Sequence, residues 1–263
     1  MESNYQCKNC GHSYSGNFCN YCGQKRIAER WTLKKLINNA ATAIFNLEKG
    51  FFYTFKKLLI QPGKVIQEYL EGNTVNYANP FRYALIGIAI NVFCMLTFGV
   101  WDFQVEAMVE IYKDLGIIQT PEKEVEMRGY FKFATKFMNL LPFLLVPFIS
   151  LSSKIFLERH KLYYAEHFIM NTFMLGQSTI YGALNAIVFY FIPEFFGLML
   201  VLGFSIAAFI YSQIFRDMFG KKQIIGFLLG LVIYCFGFFF FGIFMSIISI
   251  IVVIGALIYK ALT

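Results

Sequence analysis

From residue 81 onward the chain alternates long uncharged apolar runs with short charged connections. Residues 83–101, 137–153, 168–192 and 195–215 each contain no Asp, Glu, Lys, Arg or His. A helix needs about 20 such residues to cross a hydrocarbon core of about 30 Å, so most of these runs read as membrane spans. The last run, residues 224–259, would measure about 54 Å as one helix, too long for a simple crossing. A break at 237–242, "GFFFFG", would divide it into two minimal spans. The pattern therefore predicts five or six spans, with six preferred.

Ahead of residue 81 the periodicity changes. Thr32 can cap a helix in which Leu33, Leu36, Ile37, Ala40 and Ile44 share one face. Phe51, Phe52, Phe55, Leu58 and Leu59 continue the apolar stripe beside Lys56 and Lys57. Pro62 suits the first turn of a further helix carrying Val65, Ile66, Tyr69 and Leu70; Gly72 is placed to end it, and Pro80 to open the first span. Such helices either lie in the headgroup plane or pack as a protein layer on the span ends.

Composition agrees with the membrane class: 57% of the residues are hydrophobic and 15% charged, against roughly 25% charged in soluble domains. Charge then orients the spans. Residues 1–82 hold 11 basic and 5 acidic side chains, whereas the 102–136 connection holds 5 basic and 7 acidic. By the positive-inside rule the N-terminus is cytoplasmic and the 102–136 segment external. That segment reads as a solvated loop with a short helix over 105–115, broken by Pro121. The chain starts polar and basic, so no signal peptide is expected. The net charge of +7 is mostly a matter of orientation; it implies contact with anionic lipid headgroups, not nucleic acid.

The opening "CKNCGHSYSGNFCNYCGQK" supplies two C-x2-C pairs, Cys7 with Cys10 and Cys19 with Cys22. Four thiolates at this spacing suit a closed tetrahedral zinc site, which is structural because no position remains for water. Gly11 and Gly23 follow the pairs, where a turn can adopt positive φ. Disulfides are disfavoured on the reducing side of a membrane, and an iron–sulfur cluster accepts the same donors but suits this tight pairing less well. His12 reads as a loop residue. So short a segment depends on its metal for folding. Cys94 and Cys235 stand alone in apolar runs and read as core residues.

A zinc ribbon ending in "CGQK", then "PGKVIQEYLEGNTVNYANPFRYALI", then several spans resembles a bacterial domain-of-unknown-function family that joins an N-terminal zinc ribbon to a multi-span membrane domain. Pro62, Gly63, Tyr69, Gly72, Tyr77 and Pro80 match its recurring positions. Where that family commonly carries basic residues, this chain has Asn73, Thr74, Val75 and Asn76. The resemblance implies the architecture and no activity.

Within the spans, Asn171, Ser178 and Asn185 recur every seven residues on one face, with Gln177 and Thr179 beside them and Asn91 in the first span. These groups either bond neighbouring helices or line a polar cavity. Gly226 and Gly230 form G-x3-G, a close-packing motif. Glu158, His160, Glu166 and His167 cluster in one connection without a recognised metal spacing, and no catalytic signature occurs elsewhere. The reading is an all-α polytopic inner-membrane protein with a zinc ribbon (1–26), amphipathic interfacial helices (27–80) and a transmembrane domain (81–263). It is expected to be a non-enzymatic cytoplasmic-face platform for a protein partner, or else a transporter or channel using Asn91, Asn171, Ser178 and Asn185.

Overall fold

The computed structural model describes residues 5–26, 32–33, 50–137, 141–157 and 162–262. The helix expected over Leu36, Ile37, Ala40 and Ile44, and the residues Glu158 and His160, lie outside them. The N-terminal ribbon pairs β1 (Tyr5–Gln6) antiparallel to β2 (Ser13–Tyr14), and Phe18 bridges to Lys25. Nine α-helices follow among the described residues: α1 (Phe51–Ile60), α2 (Pro62–Leu70), α3 (Pro80–Thr97), α4 (Val100–Asp114), α5 (Pro121–Phe137), α6 (Leu141–Phe156), α7 (Tyr164–Phe191), α8 (Phe196–Phe219) and α9 (Gln223–Leu262).

Local chemistry sets the boundaries. Pro62 and Pro80 occupy the first turns of α2 and α3, where a missing N–H costs nothing. The Asn79 side chain caps α3 by accepting from the Phe81 N–H at 3.0 Å. Gly72, at φ 103°, ends α2 in a Schellman motif: Asn73 N–H reaches Glu68 O at 2.9 Å and Gly72 N–H reaches Tyr69 O at 3.1 Å. Gly99, at φ 66°, turns the chain out of α3, so Val100 and Trp101 join α4 and not the first apolar helix.

α7 is the hub, packing on α3, α6 and α8, while α9 lies along α8 and α6. Glycines permit the close approaches. A Cβ on Gly87 would stand 2.6 Å from Gly176 O, and one on Gly176 would stand 3.0 Å from the Ala84 Cα. In α9, a Cβ on Gly226 would meet Ser212 Cα at 2.9 Å and one on Gly230 would meet Ala208 Cα at 3.1 Å, so the G-x3-G pair is a packing seam on α8. The core concentrates at the end of the bundle where α2 packs on α8 and α7, with Ile66, Tyr83, Phe173, Tyr211 and Ile214 buried. Tyr69 meets Phe173 edge-on at 5.2 Å. α2 is thus a packed protein layer.

Two expectations are corrected. α9 runs unbroken through 237–242; a Cβ on Gly237 would stand 3.0 Å from the Ile149 Cα, so that glycine admits α6 and does not break the helix. The connection at 102–136 is a helical hairpin, α4 and α5, not a loop. Pro121 starts α5, because proline is tolerated at a helix's first position. Arg128 of α5 pairs with Glu106 of α4 and with Glu124, and Lys113 reaches Glu124 at 2.8 Å.

Among the described residues, two helices are long and apolar enough to cross a membrane: α3 and the Gln223–Ile251 stretch of α9. α6 is apolar but has only 16 residues. Large apolar side chains face outward along these helices, Phe93, Leu96, Phe239 and Ile251 among them, a surface that water would disfavour.

Candidate functional site

The ribbon is a twofold repeat in sequence and in hydrogen bonding. Cys7 N–H reaches His12 O at 2.9 Å and Gly11 N–H reaches Cys7 O at 2.9 Å; twelve residues on, Cys19 N–H reaches Gln24 O at 2.8 Å and Gly23 N–H reaches Cys19 O at 2.8 Å. Gly11 and Gly23 hold φ of 74° and 73°, which no Cβ-bearing residue adopts cheaply. The two knuckles bring the four sulfurs within 4.8 Å of one another, with Cys7 to Cys22 at 3.5 Å and Cys10 to Cys19 at 3.7 Å. Tetrahedral coordination at a metal–sulfur distance of about 2.3 Å requires sulfur–sulfur edges of about 3.8 Å. The donor set therefore fits one metal ion, and all four cysteines are unbridged.

The thiols do not titrate alike. Asn9, hydrogen-bonding through its side chain, brings the Cys22 thiol down to about 6. Cys10, despite a contact with the His12 backbone that favours its thiolate, is pushed up to about 12 by desolvation and by the neighbouring sulfurs. Four thiolates this close repel one another, and a cation at their centre relieves that repulsion. His12 is not among the clustered donors; its ring stacks on Tyr21 at 5.4 Å.

Gln24 occupies in the second knuckle the position His12 holds in the first, but it turns inward and is 2% exposed. Its Oε1 accepts from the Thr74 and Val75 N–H groups at 3.1 and 3.0 Å. Its Nε2 donates to Lys25 O at 2.9 Å and to Gly72 O. Asn76 Nδ2 donates to Asn9 Oδ1 at 2.7 Å, so the residue beside Cys22 also grips the loop. That loop is itself anchored: Ala78 N–H donates to Thr54 Oγ1 at 2.8 Å, and a Cβ on Gly50 would stand 2.7 Å from Asn76 O. Tyr77 donates to Glu68 Oε2 at 2.6 Å, and burial raises its hydroxyl well above the ordinary phenol range. The ribbon is fastened to the α2–α3 loop by side-chain amides that bond mainly to backbone. Apart from "CGQK" as a string, the sequence reading did not single out Gln24 or Asn9; the repeat that equates Gln24 with His12 was the available signal.

A second polar assembly crosses the bundle. Asn171, 3% exposed, donates to Ser153 Oγ at 3.1 Å, Ser150 Oγ at 3.3 Å and His167 O at 2.8 Å, and its Oδ1 accepts from Tyr211. His167 Nδ1 lies 3.1 Å from Ser153 Oγ. Three helices, α6, α7 and α8, meet in this network. Beyond it a cavity of about 310 Å³ opens between α3, α6, α7 and α9. Asn91, Asn171 and Ser178 line it together with Thr179, whereas Asn185 does not. The cavity's lining on α7 reaches Gly182, where a Cβ would stand 2.5 Å from Asn91 Nδ2. Glu166 is a helix cap, accepting from the Tyr163 N–H at 2.7 Å. Ser150, Ser153 and Tyr211 went unpredicted because a serine or tyrosine inside an apolar run carries no periodic signal of its own.

A family model described as a protein of unknown function (DUF3667) matches residues 48–92. The match spans α1, α2, the loop that Gln24 grips and the first part of α3, and leaves the ribbon outside it. No curated protein and no solved structure was found to match the chain.

Proposed function

We propose that the chain is a polytopic protein of the cytoplasmic membrane, with α3, α6, α7, α8 and α9 as five spans, and that its zinc-loaded ribbon is a cytoplasmic platform for a protein partner. The observation that carries this reading is the seam between ribbon and loop. Gln24 and Asn9 hold the metal knuckles on a loop whose flanking helix, α2, packs on α8. A ribbon held in this way presents one fixed surface. Phe18 and Tyr21 stand on it 58% and 77% exposed, and exposed aromatics are common anchors of protein interfaces. Zinc is favoured over iron because two knuckles closing four thiolates are typical of structural zinc.

Photo-crosslinking from position 21 in cells tests the platform: one specific adduct is expected, lost in Phe18→Ala while metal content is unchanged. Absence of any specific adduct would sink the proposal. A reporter fused after Thr263 should read external, as five spans require.

A second reading is favoured by the cavity that Asn91, Asn171 and Ser178 line: transport of a solute or lipid through the bundle. Reconstituted flux that falls in Asn91→Leu and Asn171→Leu, with folding retained, would support it.

A further inference from the structure

We infer that the cavity between α3, α6, α7 and α9 is a binding site for a neutral, hydroxyl-headed lipid such as a long-chain alcohol. The inference rests on the second reading only in using the same cavity, and names what the cavity holds.

The first argument is charge. Among the described residues, no Asp, Glu, Lys, Arg or His lines the space. An ion moved there would lose its hydration and gain no counter-charge from these residues. Carboxylates, phosphates and ammonium groups are therefore disfavoured.

The second argument is the hydrogen-bonding capacity that the helices leave unused. Ser178 donates its hydroxyl proton to Leu175 O at 3.0 Å, Thr179 donates to Leu175 O and Gly176 O at 3.0 and 2.9 Å, and Asn91 Nδ2 donates to Thr179 O at 3.0 Å. With respect to the described residues, the two hydroxyl oxygens and Asn91 Oδ1 keep acceptor capacity, and one amide hydrogen of Asn91 remains. A hydroxyl, which donates once and accepts, matches this remainder; a hydrocarbon leaves it empty.

The third argument is shape. Asn171, Leu175, Ser178 and Gly182 form one stripe of α7, about 16 Å long at 1.5 Å per residue. Between its ends the walls are Leu145, Val146 and Ile149 of α6 and Phe238 of α9. A volume of about 310 Å³ lies at the lower bound for small-molecule sites. The chain of the ligand runs along this apolar wall from a hydroxyl held at Asn91, Ser178 and Thr179. Asn171 itself is saturated by protein partners and positions the network, not the ligand.

The test uses the full chain in phosphatidylcholine nanodiscs and a diazirine-bearing hexadecanol as probe. Saturable labelling within residues 141–182 is expected, displaced by hexadecanol at least tenfold better than by palmitate. Asn91→Leu should weaken the probe about three- to tenfold, the effect of one hydrogen bond. Leu145→Trp, which fills the slot, should abolish labelling, and Asn185→Leu, on α7 but outside the lining, should leave it within about twofold. Each variant is first checked for an unchanged thermal transition. Equal displacement by palmitate, or labelling indifferent to Leu145→Trp, would overturn the assignment. Saturable binding without any flux supports the site and refutes transport. Flux of a polar solute through a chain that does not bind the alcohol does the reverse.

Discussion

Gln24 and Asn171 are both primary amides, both almost wholly buried, and each makes bonds with both its oxygen and its nitrogen. One fastens a ribbon to a loop; the other fastens three helices to one another. Their partners differ in kind. Gln24 bonds chiefly to backbone groups of Gly72, Thr74 and Val75, which persist whatever side chains the loop carries. Asn171 keeps one backbone partner, His167 O, but otherwise bonds to the hydroxyls of Ser150, Ser153 and Tyr211, and loss of Tyr211 leaves its buried oxygen unmatched. The first joint is the more tolerant of sequence change around it.

The largest effect should come from removing what Gln24 stands on. In Cys19→Ser, or after chelation, the ribbon should lose the zinc proposed for it, and structural zinc in comparable small folds contributes about 10–16 kcal/mol of apparent binding free energy. Residues 5–26 should become protease-sensitive and one equivalent of zinc should be lost by elemental analysis, while α3 and α7 keep their hydrogen-exchange protection. Loss of protection in α7 as well would show that the two joints are coupled.

Asn171→Leu comes next. It leaves the Tyr211 hydroxyl and Ser153 without their shared partner, and orphaning a buried hydrogen-bonding group costs about 1–3 kcal/mol. Bonds between membrane helices average only about 0.6 kcal/mol, but three partners are affected here, so about 2 kcal/mol is expected in a micellar unfolding titration. Ser150→Ala should cost less, because Ser150 lies at 3.3 Å and also donates to Val146 O at 2.7 Å. If the two variants cost the same, Asn171 is not the centre of the network.

Much of the architecture could be read from the residues. The apolar runs located α3, α6, α7, α8 and α9 because a buried or lipid-facing helix must be apolar all round. Gly72 and Pro80 marked real boundaries because backbone sterics act locally. The cysteine spacing predicted the sulfur cluster for the same reason. What failed was long-range: Gly237 suggested a break, but the approach of Ile149 from α6 is what that glycine serves. Asn185 shared a heptad position with Asn171 and Ser178, yet the cavity's lining on α7 extends only as far as Gly182. Periodicity names a face; only packing says where the neighbours stop.

Gln24→Ala should be milder than either change above. It removes both backbone N–H contacts to Oε1, yet the loop can recruit water at this outer seam, so about 1–2 kcal/mol of docking is expected. Metal content should stay at one per chain, and amide exchange at Thr74 and Val75 should accelerate about five- to thirtyfold. Gln24→Glu sharpens the test, because its carboxylate still accepts from both N–H groups but faces the Gly72 carbonyl without a proton to donate. Partial protection at Thr74 and Val75 is expected there; full protection would mean that the Gly72 bond contributes nothing.

The α4–α5 hairpin marks the weak end of the scale, since its polar ties are exposed ion pairs. Glu124 is held below its ordinary carboxylate value of 4.5 by Lys113 first and by Arg128 second. A depressed carboxylate contributes stability that is fully present above the unfolded value and is lost as pH falls through the folded one. Between pH 7 and about 5 the hairpin should therefore be unchanged, and below about 4.5 exchange in Pro121–Phe137 should quicken while α7 is unaffected. Arg128→Ala should raise the Glu124 titration midpoint toward the unfolded value and so shrink that acid-induced quickening, and added salt should do the same in the parent chain. A quickening insensitive to both would assign the hairpin's hold to the buried Val100, Val105 and Val109 face of α4, leaving the ion pairs without a measurable part in it.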